Sequence, residues 1–254
     1  MKIISYNLNG IRAAITKGLL EWIQIEQPDI LCFQETKAHI EDSDTPAFEA
    51  LGYHCYWHSA EKKGYSSVGI ISKIKPNKVV TGCGNDDIDR EGRIITAYFD
   101  TFYVVNTYFP SGTTGGERQD FKMKFLNFYL QYIDGLRKEN PNIIVVGDYN
   151  IAHTEIDIHD PKSNKNTSGF LPEERDWMTQ WFSTNMIDSF RHIHRDALHK
   201  YSWWSYRANS RANNKGWRID YISVSETLKE KISGADILQD VSHSDHCPIS
   251  VILT

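Results

Sequence analysis

The sequence predicts an α/β fold of two mixed β-sheets packed face to face, with helices outside. Short apolar runs alternate with helical segments along the chain. Several strand-like runs (67–72, 93–99 and 102–108) follow one another without an intervening helix, which a purely parallel, doubly wound sheet does not accommodate. No low-complexity linker divides the 254 residues, so a single domain over 1–254 is expected.

The elements follow from local pattern. Residues 2–6 read as a buried strand ending at Asn7. Residues 17–27 read as an amphipathic helix with Leu19, Leu20 and Ile23 on one face, stopped before Pro28. Residues 30–33 form a buried strand running into Gln34-Glu35. The strand at 102–108 ends at Tyr108, just before a Gly-rich loop at 111–116. Residues 121–138 form a long helix, apolar at 121, 125, 128, 129, 132, 133 and 136. The clearest buried strand, 143–146, leads into Gly147-Asp148-Tyr149-Asn150. Residues 172–182 read as a helix whose early acids, Glu173, Glu174 and Asp176, suit the positive end of the helix dipole. Trp177 and Trp181, four apart on that helix, read as core. Strands at 219–224 and 249–253 complete the pattern.

With 40% hydrophobic and 24% charged residues the chain is ordinary globular material. No run approaches the roughly 18 apolar residues of a membrane span. The first strand is under way by Ile3, which leaves no room for a signal peptide. Cys32, Cys55, Cys83 and Cys247 show no CxxC spacing, so reduced structural thiols and a cytoplasmic location are expected. The net charge of −5 argues against a polyanion partner, but its distribution reverses the argument. Residues 191–218 carry seven cations against the single acid Asp196, a local +6 that leaves −11 elsewhere. Such a stretch on an acidic body reads as a directed polyanion surface, the alternative being a solvated loop.

Polar groups stand at the strand ends: Asn7, Gln34-Glu35, Asp148 with Asn150, Asp220, and the Asp245-His246 pair. They supply oxygen and imidazole but no sulfur cage, which suits a hard divalent cation and phosphate chemistry. Magnesium needs only one or two carboxylates, so Glu35 alone suffices as a first ligand, unless it merely caps a turn. Asp148 and Asn150 are spaced by two at a strand end, which points both side chains one way; a plain turn is the competing reading. Asp220 interrupts an apolar strand and wants a partner, for which His246 is the obvious choice. That pairing fixes the imidazole tautomer and raises its basicity, giving a general base or a cationic phosphate clamp. His243 reads as structural. Tyr108 could present its hydroxyl to phosphate.

SYNLNG, QETK, NTYFP, GDYN, WRIDY and SDHCP stand in the order found in the exonuclease III type of abasic-site DNA endonucleases. The chain resembles that family, a branch of the endonuclease/exonuclease/phosphatase superfamily, from residue 2 to residue 253, and QETK with WRIDY and the intervening segment SGFLPEER at 168–175 narrow the match to the DNA-repair branch. The resemblance implies a four-layer α/β sandwich and a Mg2+-dependent phosphodiesterase, with Mn2+ as a substitute ion. It implies that Glu35 binds the metal, with Asn7 and Asp245 in or near its shell and Asp148, Asn150 and His246 beside it. Asp148 would orient and activate the attacking water while Asn150 bonds the phosphate. His246, held by Asp220, would contact the scissile phosphate, and Tyr108 would stabilise developing charge. The implied partner is double-stranded DNA carrying abasic or 3′-blocked sites, cut 5′ of the abasic site to leave a 3′ hydroxyl. Accompanying 3′-to-5′ exonuclease or 3′-phosphodiesterase activity, a monomeric state and no membrane contact are also expected. Asn9 stands where some relatives carry Asp, which leaves one ion or two open.

The basic stretch interleaves Tyr201, Trp203, Trp204, Tyr206 and Trp217. By resemblance Trp203, Trp217 and Ile219 wall a pocket for a flipped-out abasic sugar, which costs less to extrude than a stacked nucleotide. Trp204 reads as core. Arg12, Lys17, Lys37, Tyr65 and Arg93 match positions that grip the DNA backbone or minor groove in relatives, so binding should weaken with salt. A superfamily phosphatase would not need the basic, aromatic stretch, and a catalytically silent lesion binder would not need the five polar residues together.

Overall fold

The computed structural model describes residues 1–254. Its strands are β1 (Lys2–Asn7), β2 (Ile30–Gln34), β3 (His54–His58), β4 (Val68–Ser72), β5 (Lys78–Thr81), β6 (Ile94–Tyr98), β7 (Tyr103–Tyr108), β8 (Ile143–Asp148), β9 (Met186–Asp188), β10 (Asp220–Ser225), β11 (Ile232–Ile237) and β12 (Ile249–Leu253). The helices are α1 (Ile11–Thr16), α2 (Leu19–Glu26), α3 (Thr45–Ala50), α4 (Asp86–Asp89), α5 (Gly116–Glu139), α6 (Pro161–Asn164), α7 (Pro172–Ser183) and α8 (Ser189–Ile193). Two six-stranded sheets result, ordered β11-β12-β1-β2-β4-β3 and β5-β6-β7-β8-β10-β9.

Each sheet has one parallel pair at its centre, β1 with β2 and β7 with β8, flanked by antiparallel neighbours. A parallel pair delivers two strand ends to one edge, and an antiparallel neighbour starts there. Asn7 therefore lies opposite Gln34, Tyr108 opposite Asp148, and Asp220 opposite Asp148.

Alternation places the core. Along β2, Ile30 and Cys32 point between the sheets while Leu31 and Phe33 point to the helices; along β8, Ile144 and Val146 point in while Ile143 and Val145 point out. Strands covered on both faces read as continuous apolar runs, which is why these were recognisable. Trp177 and Trp181 stack at 5.7 Å in the outer layer between α5, α7 and the second sheet. The four layers are thus helix, sheet, sheet, helix. A buried amide pair ties the sheets just beneath the site: Gln34 donates to Asn106 Oδ1 at 2.7 Å, and Asn106 donates to the carbonyls of Phe33 and Gly69.

The helix expected over 17–27 is α2, which starts at Leu19 after Gly18 at φ 95; α1 ahead of it was not foreseen, and α5 starts at Gly116 rather than at 121. The unforeseen strands β3, β5, β9 and β11 are all sheet edges. An edge strand is shielded on fewer sides, so its sequence lacks a continuous apolar run; β5 is exposed at both ends.

Candidate active site

Two turns aim the central carboxylate. After β1, Asn9 N–H bonds back to Asn7 Oδ1 at 3.0 Å; after β8, Asn150 N–H bonds back to Asp148 Oδ1 at 2.8 Å. Asn150 lies beyond the strand at φ 54, so it reaches Asp148 through a left-handed turn and not by strand alternation. The turn and the functional placement are one feature. Gly147 lets β8 close on β7: at φ 151, an added Cβ would stand 1.8 Å from the Thr107 carbonyl oxygen. Asn9, Glu35 and Lys37 are also left-handed, at φ 47, 47 and 51, so backbone strain gathers at this edge.

Asn7 joins the two sheets chemically. Its amide donates to Glu35 Oε1 and to Asp148 Oδ2, each at 2.9 Å. Asn150 Nδ2 adds a bond to Asp148 Oδ2 at 3.2 Å and another to the Phe109 carbonyl at 3.0 Å. Both Asn150 amide hydrogens are therefore engaged within the protein, where they brace Asp148. Burial, then Asp220 and Glu35, push Asp148 up to about 8 against the opposing pull of His246 and the Asn150 backbone N–H.

His246 donates Nδ1–H to Asp220 Oδ2 at 2.8 Å, and its Nε2 lies 3.9 Å from Asp148 Oδ2. Burial alone would lower its pKa, but Asp220, aided by Asp148 and Asp245, holds it at about 10. Ser202 completes the arrangement, donating to Asp220 Oδ2 at 2.6 Å and accepting the N–H groups of Ile219 and Asp220. Nothing in the local sequence marks Ser202; the β-bridges joining Trp203 to Trp217 and to His246 place it. Tyr108 is buried, and burial and then the charge of Glu35 raise its pKa well above the ordinary value.

Asp245 sits to one side. Its Oδ1 accepts from Asn9 and its Oδ2 from Trp203 Nε1. A cavity of about 370 Å³ opens over the cluster, with Glu35, Asp148 and His246 on its floor and Trp203, Trp217 and Ile219 on one wall. Trp203 and Trp217 meet edge to face at 6.1 Å. Trp204 is buried in the inter-sheet core.

The remaining expected contacts divide. Arg12 and Lys17 are exposed, Lys17 donating to the His243 carbonyl. Lys37 pairs with Glu35 at 3.0 Å and donates to Asn9 Oδ1. Arg93 is not a surface cation: 1% exposed, it donates to the Tyr108 carbonyl and the Tyr65 hydroxyl, pairs with Glu91 at 2.5 Å and stacks 4.7 Å from the Tyr108 ring. Tyr65 is tied into the same network.

Of the seven cations in residues 191–218, three are used internally, while Arg195, Arg207 and Lys215 stay exposed. Arg218 is buried on Asp157 and Asp188, at 2.7 and 2.8 Å, and Arg191 joins Asp157 at 2.6 Å. Arg211 caps the carbonyls of Gln239, Val241 and Ser244. Partners distant in sequence neutralise what a local charge count leaves open.

Glu35, Asp148 and His246 each present a ligand atom, all within 4.8 Å of one another. Four carboxylates (Glu35, Asp148, Asp220 and Asp245) here face two cations, Lys37 and His246. That excess, expressed in the raised Asp148, and an oxygen-dominated donor set fit a hard divalent ion.

A model of the Endonuclease/Exonuclease/phosphatase family matches residues 4–246. A Bacillus subtilis (strain 168) protein named Exodeoxyribonuclease is 45% identical over 254 residues, covering 100% of this chain and 99% of its own. The Danio rerio DNA repair nuclease APEX1 is 39% identical, covering 100% of this chain and 82% of its own. Among solved structures, an AP endonuclease from Archaeoglobus fulgidus aligns at a TM-score of 0.89 and 29% identity, covering 100% of this chain and 99% of that one.

Proposed function

Because the chain belongs to the endonuclease/exonuclease/phosphatase family, we propose that it is a Mg2+-dependent DNA-repair phosphodiesterase of the exonuclease III type. It cuts 5′ of abasic sites to leave a 3′ hydroxyl, and the same site serves 3′-to-5′ exonuclease or 3′-phosphodiesterase action. The observation that carries this reading is the convergence of Glu35, Asp148 and His246 beneath an aromatic-walled cavity. The names of the relatives point the same way. The basic stretch adds less support than its charge count, since three of its five arginines, Arg191, Arg211 and Arg218, are used internally.

Glu35 would hold the ion, with Asp148 within reach and Asn7 fixing the carboxylates. Asp245, engaged by Asn9 and Trp203, stands in the outer ring. When bound, the ion would polarise a phosphoryl oxygen and offset developing charge. Asp148 in its carboxylate form, which its raised pKa of about 8 makes dominant only in the alkaline range, accepts the proton of a water aligned behind phosphorus. Its carboxylate is aimed by Asn7 and Asn150, which lowers the cost of orienting it. His246 is protonated across the neutral range and clamps the phosphate with Nε2–H, Asp220 holding the ring. Tyr108, kept neutral by burial, donates its hydroxyl to oxygen charge as the P–O3′ bond breaks. Trp203, Trp217 and Ile219 provide an apolar seat for a baseless sugar.

The test uses a duplex oligonucleotide bearing one tetrahydrofuran abasic analogue, incubated with Mg2+ or with EDTA. Incision with Mg2+ alone, and a loss of about 10²–10⁴-fold in kcat for Asp148→Asn, are expected. Incision that persists in EDTA, or an Asp148→Asn variant of unchanged kcat, refutes the reading.

A further inference from the structure

Lys122 on α5 and Glu174 on α7 form an ion pair of 2.6 Å with both side chains fully buried. Neither lines the cavity. Such a pair does little for stability by itself, because desolvation offsets its attraction and apolar substitutes are often as stable. Its other bonds show where it acts. Lys122 Nζ donates to the Asn150 carbonyl at 2.9 Å. Glu174 Oε2 accepts the N–H groups of Gly169 and Leu171 at 2.6 and 3.0 Å, and Oε1 accepts from Gln119 at 3.0 Å. The pair therefore grips two backbone segments that both border the cavity.

Those segments touch each other. Ala152 N–H donates to the Gly169 carbonyl at 2.8 Å. Gly169, at φ 96, is wedged so tightly that an added Cβ would stand 2.9 Å from the Trp217 ring and 3.1 Å from the Asn150 carbonyl. On one side of the wedge Asn150 braces Asp148; on the other, Trp217 walls the cavity. We propose that the buried Lys122–Glu174 pair is a positioning element that locks the Asn150 turn to the 167–169 wall, fixing Asp148's brace and Trp217's seat together. This rests on the phosphodiesterase reading of the same site. Neither residue touches substrate: they act through Asn150 and Gly169.

The experiment compares the full chain with Lys122→Met, Glu174→Asp and the charge-free double variant Lys122→Met/Glu174→Gln. Glu174→Asp keeps the charge but withdraws the carboxylate by one methylene. Each is assayed for Mg2+-dependent incision of the tetrahydrofuran duplex, well below its own Tm, with kcat and KM determined separately. Misaligning Asp148 by a fraction of an ångström to an ångström should lower kcat of Lys122→Met and of the double variant on the order of 10²-fold. KM should rise as well, through Trp217's seat, but by a smaller factor than kcat falls, a split that general loosening of the fold would not give. Glu174→Asp should fall between these and the parent. Folded variants whose kcat stays within about threefold of the parent overturn the proposal. So does unfolding of every variant, which would make the pair a folding element only. A parent without incision instead sinks the phosphodiesterase reading, a result separable from both.

Discussion

Asp220→Asn isolates what the Asp220–His246 pair contributes. The amide keeps the shape of the carboxylate, so the change is chiefly loss of the charge 2.8 Å from His246 Nδ1. With Asp220 present, His246 is held at about 10 and is almost wholly protonated at pH 8. Without it, burial is opposed only by Asp148 and Asp245, and the ring falls toward its ordinary value of 6.5. At pH 8 a group of pKa ~6.5 is only ~3% protonated, so a reaction needing the imidazolium slows by up to about 30-fold. Asp220 is also the largest charge raising Asp148, so its removal lets Asp148 ionise at lower pH. Both limbs of the pH–rate curve for kcat/KM should move toward acid, and activity should recover near pH 6. Stability gives a second reading with a definite sign. The folded pKa of His246 lies above its unfolded value, so the pairing stabilises fully below pH ~6.5 and fades as pH rises toward 10. The Tm deficit of the variant should therefore be larger at pH 6 than at pH 9.5. Parent and variant rate profiles that superimpose above pH 7, or a loss equal at every pH, would refute the assigned role.

The pocket and the buried ions give two more expectations. Trp217→Ala should lower abasic-site kcat/KM by at least about tenfold while Tm moves little, because the ring is half-buried and faces the cavity; an equally severe loss of Tm would show the ring to be packing. Asp157→Asn leaves Arg218 with Asp188 as its one carboxylate and takes the carboxylate from Arg191, a partial break of a buried ion network that should cost up to about 3–5 kcal/mol, or at most roughly 10 °C in Tm for a chain of this size. Although burial opposes it, Arg218 and Arg191 hold Asp157 well below the usual carboxylate range. Its contribution is thus present above pH ~4 and lost on further acidification, and the variant and parent should converge in acid; a difference in Tm that persists unchanged at pH 3 speaks against it.

The central strands were legible because burial on both faces leaves unbroken apolar runs, as in 143–146. The polar residues ending them stood out because nothing apolar explains them. Lys122 was legible in principle, since it sits three residues before Phe125 and seven before Tyr129 on the buried face of α5. Only its partner, 52 residues away, makes that position tolerable for a charge. Ser202 carried no signal, and Arg93 gave a misleading one, because an arginine's type says nothing of where its guanidinium ends.

What the sequence by itself determined was the layered α/β architecture and the chemistry gathered at one edge: carboxylates, amides and an imidazole in a fixed order along the chain. Strand period and strand burial are local properties, so local pattern records them. Tertiary structure alone decided how those groups are used. It turned three basic residues of 191–218 inward to Asp157, Asp188 and three backbone carbonyls, and it gave Asp148 its excess of neighbouring charge. It also set Lys122 and Glu174 behind the cavity. Charge and hydrogen bonding act over a few ångströms of space, and the chain brings those ångströms together from residues far apart in sequence.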